Sequence, residues 1–92
     1  KLNPNIKASL ITTKDCMNIV NNTRKILNDA INYGGSSIRD FKNISGAKGS
    51  FQKIFKVYQR DGLNCKRHRC KGIIKKKIIS NRSTFYCNIC QK

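Results

Sequence analysis

The sequence predicts a mainly helical α+β chain, in which a helical segment is followed by a small four-cysteine β-hairpin. Apolar residues recur at helical spacing between residues 12 and 33, and two cysteine pairs flank a β-prone run near the C-terminus. At 92 residues the chain holds one domain at most, or one with a small satellite. So short a chain buries little core, and we expect a staple of some kind to stabilise it.

The clearest helix signal is the stretch TTKDCMNIVNNTRKILNDAINYGG. Thr12 is the expected N-cap, and Asp15 follows at the spacing of a capping box. Gly34 and Gly35 end the helix, because glycine accepts the left-handed conformation common at helix C-termini. One apolar face, which we expect to be buried, carries Cys16, Ile19, Val20, Ile26, Leu27, Ala30 and Ile31. On it, Cys16 reads as a small buried hydrophobe.

The segments after this helix are shorter. SSIRDF, with Ser37 and Asp40 at capping spacing, predicts a short helical turn, and KNISGAKGS predicts a mobile loop rich in Gly, Ser and Lys. FQKIFKVY places apolar residues at i, i+3, i+4 and i+7, so we predict a short helix there that packs on the first.

Four cysteines form the strongest motif of the chain. Cys65, Cys70, Cys87 and Cys90 make a C-x4-C and a C-x2-C pair with 16 residues between them. Two such knuckles complete a tetrahedron of thiolates around zinc, at Zn–S distances of about 2.3 Å. The spacer fits a hairpin with strands in GIIKKKII and TFYC and a turn at SNRS that carries Arg82; metal binding would supply most of its folding free energy. One structural zinc ion is therefore favoured over a disulfide or redox pair, and His68 is an alternative ligand to Cys70.

Charge indicates the class of partner. The chain has 20 Lys+Arg against 4 Asp+Glu, for a net charge of +16, which favours nucleic acid. Codon bias explains many lysines, yet it does not explain the absence of glutamate. The basic residues near the cysteines are Lys66, Arg67, Arg69, Lys71, Lys75, Lys76, Lys77 and Arg82. We take Arg82, Lys75 and Lys77 as candidate contacts; the alternative for Arg82 is a solvated arginine in a turn.

Location follows from what the sequence lacks. No apolar run approaches the roughly 20 residues of a membrane span, and the first residues show no signal peptide. We therefore expect a cytoplasmic monomer in a reducing compartment, which favours metal over disulfides. Because the first residue is Lys1 rather than Met, we expect the chain to be part of a longer protein.

Three stretches, INYGGSSIRDF, GSFQKIFKVYQRDG and RSTFYCNICQK, resemble the C-terminal region of bacterial formamidopyrimidine-DNA glycosylase. The resemblance runs from about Asn3 to Lys92. It implies that residues 1–60 are the later part of a helix-two-turn-helix region and that residues 61–92 are a zinc-finger hairpin. The family removes oxidised purines, such as 8-oxoguanine and formamidopyrimidines, and then cleaves the strand by β,δ-elimination.

Residue roles follow from the same resemblance. It implies zinc ligation by all four paired cysteines and contact of Arg82 with backbone phosphates in the minor groove beside a flipped nucleotide. It also implies that residues from about 39 to 50 form a loop over the extruded lesion. Arg39 and Lys48 of this loop are then further DNA contacts. The expected partner is double-stranded DNA that contains oxidised purines or abasic sites.

The sequence also departs from the family. The first cysteine pair is usually C-x2-C, Gln59 stands where the family has glycine, and Asn64 stands where it has proline. The family's catalytic proline, glutamate and β-hairpin lysine belong to an N-terminal domain. We therefore expect no catalytic residue here, and no activity from these 92 residues without that domain.

Two other classes of function share some of these features. A stand-alone zinc-ribbon module that binds nucleic acid would share the cysteines but would not need the helix and the Gly-Gly end. A secreted disulfide miniprotein is disfavoured by the odd fifth cysteine, Cys16, and by the lack of an export signal.

Overall fold

A computed structural model describes residues 1–36 and 49–92. Its elements are 3-10 helices at Ala8–Leu10 and Phe51–Ile54, helix α1 at Thr13–Asn32, and strands β1 at Ile74–Ile79 and β2 at Arg82–Cys87. The predicted mixed class of helix and sheet is confirmed. The backbone forms two compact units, one of Ile11–Ile54 and one of Lys1–Leu10 with Phe55–Lys92. The functional division at residue 60 remains a prediction.

Helix α1 begins where the capping motif predicts. The Thr12 hydroxyl accepts a hydrogen bond from the Asp15 N–H at 3.1 Å, and the Asp15 carboxylate accepts one from the Thr12 N–H at 3.1 Å. Each bond satisfies a backbone donor that has no partner within the helix. The predicted start of the helix is therefore confirmed by a complete capping box.

The C-terminus of α1 is a Schellman motif. Gly35 N–H donates to the carbonyl of Ala30 at 2.8 Å, and Gly34 N–H donates to that of Ile31 at 2.9 Å. Both glycines have positive φ, 73° and 82°, which a side chain would strain. The predicted end of the helix is confirmed. Beyond it, Ser36 and Ser50 form an antiparallel bridge, so the chain returns close to the end of the helix.

The prediction of a buried apolar stripe is wrong for these residues. No residue of α1 is buried, Leu27 is 58% exposed, and Cys16 is exposed rather than packed. An amphipathic face is buried only where a second apolar surface covers it. Within its unit, the segment of residues 49–54 supplies little such surface: the Phe51 ring lies 6.3 Å from that of Tyr33.

Among the helices in residues 1–36 and 49–92, none combines the length and the apolar character that a membrane span requires.

The short helix predicted for FQKIFKVY is also corrected. Only Phe51–Ile54 is helical, as a 3-10 turn. The chain then bends, with Arg60 N–H bonded to the Val57 carbonyl at 3.1 Å. Tyr58 packs edge-on against Phe85 of β2, with ring centroids 5.2 Å apart. Tyr58 therefore packs through a long-range aromatic contact rather than as part of a stripe on one helix.

Strands β1 and β2 form an antiparallel hairpin that runs from the pair Ile74–Cys87 to the pair Ile79–Arg82. Ser80 and Asn81 connect them with φ of 47° and 62°. Positive φ at both residues is the signature of a type I′ turn, whose twist matches that of the strands. The hairpin prediction is confirmed, with one correction: Arg82 is the first residue of β2, because the turn needs only two residues.

The two faces of the hairpin differ in character, since successive side chains of a strand point to opposite faces. One face carries Ile74 and Cys87, which are 0% and 1% exposed, and Phe85, with the Lys76 ammonium 5.8 Å from its ring centre. By the register of the strands, the other face carries Lys75, Lys77, Ile79, Arg82, Thr84 and Tyr86. We call Lys75, Lys77 and Arg82 the basic face.

Candidate metal centre and nucleic-acid interface

The four paired cysteines converge on one point. Their sulfur atoms all lie within 4.8 Å of one another, with Cys70 Sγ 3.7 Å from Cys87 Sγ and 3.1 Å from Cys90 Sγ. Four sulfurs bound tetrahedrally to zinc at about 2.3 Å would be about 3.8 Å apart. The separations are far longer than the roughly 2.05 Å of a disulfide bond, and all five cysteines are free. The cluster therefore fits a tetrahedral metal ion.

Backbone pairing places the first knuckle beside the start of β1. Asn64 and Ile73 form an antiparallel bridge, and Cys65 N–H donates to the Gly72 carbonyl at 2.8 Å. Gly72 is buried, and a Cβ atom at this position would collide with the sulfur of Cys87. A glycine is thus required where the backbone passes against the cluster.

The second knuckle is fixed by side chains that the sequence patterns did not identify. The Gln91 carboxamide accepts from Cys87 N–H at 3.0 Å and donates to the Leu2 carbonyl at 3.1 Å. The Asn88 carboxamide accepts from Ile73 N–H at 3.0 Å. Both residues belong to the CNICQK ending, and that motif was the available signal.

Arg60 has a similar positioning role before the first knuckle, and sequence reasoning missed it too. Its guanidinium donates to the carbonyl of Lys56 at 2.9 Å and to that of Asn64 at 3.2 Å. These two bonds hold the segment that leads directly into Cys65. Only the position of Arg60 just before a turn could have indicated this role.

Backbone N–H groups point at three of the sulfurs. Each bond is 3.4 Å long: Arg67 to Cys65, Gly72 to Cys70, and Cys90 to Cys87. Burial opposes ionisation of Cys87, but N–H donation from Cys90 and Ile89 prevails and lowers its pKa to about 7. The hydrogen bond between Cys90 and Cys70, together with burial, raises the pKa of Cys90 to about 12. The cluster thus shares protons among its sulfurs, and a metal ion would displace them.

His68 lies outside this cluster. It is exposed, and the group of converging ligand atoms consists of the four cysteines. The two additional residues of the C-x4-C spacing are accommodated in an exposed loop, Lys66–Arg69, without displacing either cysteine from the cluster.

The basic face is available to an anionic partner. Lys75, Lys77 and Arg82 are exposed, and none of their side chains has an ion pair among the described residues. In their unit the only acidic side chain is Asp61, and it forms no ion pair with any of the three cations. Of the other predicted contacts, Arg39 and Lys48 lie outside the described residues, as does nearly all of the loop at 39–50.

Comparison with models of protein families gives no match. Among curated proteins, the formamidopyrimidine-DNA glycosylase of Roseobacter denitrificans is 45% identical over 92 residues, which is 100% of this chain and 32% of that protein. The one from Bradyrhizobium diazoefficiens is 45% identical over 92 residues, covering 95% of this chain and 31% of the relative.

Solved structures of Lactococcus lactis Fpg are also similar to this chain. The complex of Lactococcus lactis Fpg with DNA that contains an abasic site superposes with a TM-score of 0.85 at 30% identity, over 99% of this chain and 32% of that one. A complex of a mutant of the same protein with DNA that contains Fapy-dG also has a TM-score of 0.85 at 30% identity, with the same coverage.

The fold and the cysteine cluster thus define a class of protein in which a helical segment precedes a four-cysteine ribbon, formed by β1, β2 and the two cysteine knuckles, that is consistent with a zinc finger. Within that class, the chain belongs to the formamidopyrimidine-DNA glycosylase family and corresponds to the C-terminal region of its members. It spans about a third of the length of the relatives that it matches end to end.

Proposed function

We propose that this chain is the damaged-DNA-binding part of a bacterial, cytoplasmic base-excision repair glycosylase that acts on oxidised purines. Its partner is duplex DNA with an oxidised purine or an abasic site, and the chain binds the backbone and the minor groove of this DNA. The observation that carries the proposal is the basic face: three exposed cations, Lys75, Lys77 and Arg82, without a carboxylate partner among the described residues, on a ribbon anchored by the cysteine cluster. Two structural neighbours were solved with lesion-bearing DNA, which supports this choice of partner.

The proposal includes one structural zinc ion held by Cys65, Cys70, Cys87 and Cys90. When bound, the ion supplies a crosslink between the two knuckles and no chemistry on DNA. The chain contributes the N–H donors that favour thiolates and the glycine that admits the backbone. Only Ile74 and Cys87 are buried apolar residues in the described chain, so the metal supplies most of the free energy of folding of the ribbon.

Arg82 is proposed as the principal phosphate contact. It lies at the turn end of β2, whereas the cluster contains the residue at the other end, Cys87. Its planar guanidinium can bridge two phosphate oxygens, which the point charge of a lysine cannot. Lys75 and Lys77 lie on the same face and extend the positive strip along the ribbon.

Binding alone is assigned to these residues. The chain contains no glutamate to act as catalytic acid, and its relatives are about three times longer. The glycosylase and lyase steps of the family are therefore attributed to residues beyond this chain. The described residues would position the duplex for those steps.

Binding of the zinc-loaded chain to matched duplexes tests the proposal. One duplex carries an abasic-site analogue and the other is intact, and fluorescence anisotropy measures both affinities over a range of salt concentrations. Preference for the analogue is the expected result. Equal affinity for both duplexes, or preference for RNA of the same length, would indicate a general zinc-ribbon module and overturn the proposal. Borohydride trapping of a covalent adduct would contradict the assignment of binding alone.

A further inference from the structure

The loop between the first two cysteines is a second exposed basic surface, separate from the basic face. We call residues 66–69 the knuckle loop; they are Lys66, Arg67, His68 and Arg69. All four are exposed, and none of their side chains forms a hydrogen bond or ion pair with a described residue. Three cations are thus presented together with no internal partner.

The backbone of this loop is held in place. Arg67 N–H donates to Cys65 Sγ at 3.4 Å, and Cys70 N–H donates to the Arg67 carbonyl at 3.1 Å. The second bond closes a four-residue turn over His68 and Arg69. Because the turn is tied to the cysteine cluster at both ends, its side chains project from a preorganised base, which lowers the entropy lost on binding.

Arg69 has a backbone conformation that disfavours its own side chain. Its φ is 61°, the left-handed region, at the third position of the turn, where glycine or asparagine is the unstrained choice. A residue with a Cβ atom is strained in this conformation. Glycine would relieve this strain, so Arg69 is a position where the guanidinium can be removed without introducing new backbone strain.

The knuckle loop and Arg82 lie at opposite ends of the ribbon. Arg82 is beside the two-residue turn, whereas the loop adjoins the cysteine cluster at the other end of β1 and β2. Six-residue strands with a rise of about 3.3 Å per residue separate the ends by roughly 15–20 Å. The two groups therefore cannot contact the same phosphate.

We propose that the knuckle loop is a second DNA-binding site, in which Arg67 and Arg69 each pair with a backbone phosphate of the duplex held by the basic face. The inference rests on the proposed function, because it takes the same duplex as its ligand. The partner chemistry is a phosphodiester backbone rather than a base edge, since the loop offers charged forks with no shaped pocket. The zinc-bound ribbon would then contact the duplex through both ends of the ribbon.

Two variants of the zinc-loaded chain test this site with the abasic-analogue duplex. Arg69→Gly should retain full zinc content and an equal or higher unfolding temperature, because it relieves the left-handed strain. It should nevertheless flatten the slope of log K against log salt by about 0.9, which corresponds to roughly eightfold weaker binding at 0.1 M salt. The double variant Arg67→Ala/Arg69→Gly should lose about 1.8 units of slope, or roughly sixtyfold in affinity.

Lys76→Ala is the matched control, because it removes one cation that lies against Phe85 on the other face. It should change the slope much less than Arg69→Gly does. Unchanged affinity and slope in both knuckle-loop variants, with wild-type binding to the duplex intact, would overturn the inference while leaving the proposed function standing. Failure of the wild-type chain to bind the duplex would instead overturn both. If the double variant loses zinc, the single variant Arg69→Gly alone decides the question.

Discussion

Gln59 occupies a left-handed turn position, with φ of 53°, just before the segment that leads to the first cysteine. This conformation costs a residue with a side chain about 1–2 kcal/mol. Glycine avoids the strain, but part of the gain is offset because glycine loses more backbone entropy on folding. We expect Gln59→Gly to raise the unfolding free energy of the zinc-loaded chain by about 0.5–1 kcal/mol, measured by denaturant titration.

Gly62 provides the opposite control. Its φ is 82°, and a Cβ atom there would meet no atom within 4 Å, so any effect reports backbone strain alone. Gly62→Ala should therefore destabilise the chain by a comparable amount, about 1 kcal/mol. A lower unfolding midpoint in Gln59→Gly would show that the Gln59 side chain contributes more than the strain costs.

Arg82 is the residue on which the proposed DNA contact depends most. We expect Arg82→Ala to weaken binding to abasic-analogue DNA by about 1–3 kcal/mol and to flatten the salt slope by about one unit. Zinc content and unfolding midpoint should stay unchanged, since Arg82 is exposed at the start of β2. Lys76→Ala serves as the comparison from the other face. An Arg82→Ala chain with wild-type affinity and slope would leave Arg82 as a solvated surface residue.

At the scale of elements, helix α1 depends on local interactions, because none of its residues is buried. The bond from Thr12 N–H, with a further bond from the Thr12 hydroxyl, lowers the pKa of Asp15 below its usual 3.8. Because folding lowers its pKa, the Asp15 carboxylate stabilises the folded state at pH values above its usual pKa. This stabilisation is lost as the pH falls through the pKa of the folded state. We expect the helical signal in far-UV circular dichroism to decrease on acidification below about pH 4.

Asp15→Asn isolates this effect. The variant should have lower helicity at neutral pH and a flatter response to acid, because its side chain carries no charge to lose. An acid response as steep as that of the wild-type chain would show that some other group controls the helix.

The hairpin shows how an element selects among similar residues. Lys75, Lys76 and Lys77 are consecutive and chemically identical, so composition cannot distinguish them. The two-residue turn fixes the register, and the register places Lys76 opposite Phe85 while its neighbours join Arg82. One additional residue in the turn would shift the register by one residue and move the side chains of one strand to the opposite face of the hairpin.

At the scale of the whole molecule, the two buried apolar side chains of the described residues are Cys87 of the cysteine cluster and its strand partner Ile74. We expect one zinc ion per chain, and we expect a strong chelator to unfold the ribbon, because it contains the two buried apolar residues of the described chain, Ile74 and Cys87. Amide resonances of β1 and β2 should collapse toward random-coil shifts after chelation. The helical signal of α1 should persist, since its cap and its Schellman motif involve no cysteine of the cluster.

Two results would contradict this view. Well under one zinc per chain, in protein purified without chelator, would remove the metal from the proposal. Unchanged ribbon resonances after complete removal of zinc would show that aromatic packing, such as that between Tyr58 and Phe85, is sufficient for folding.

The sequence by itself determined the features that depend on near neighbours. The capping box at Thr12, the glycine end of α1, the two cysteine pairs and the hairpin each involve residues a few positions apart or a recognisable spacing. Such interactions form in the same way wherever the segment lies, so local patterns predict them well.

Only the tertiary structure decided which surfaces are covered and which residues support the cluster. The apolar face of α1 is exposed, and Tyr58 lies outside a helix and packs on Phe85. Gln91 connects the second knuckle to Leu2 through a hydrogen bond. In each case the outcome depends on whether a group distant in sequence comes within contact distance. Periodicity records which side chains share a face, but it carries no information about what lies opposite that face.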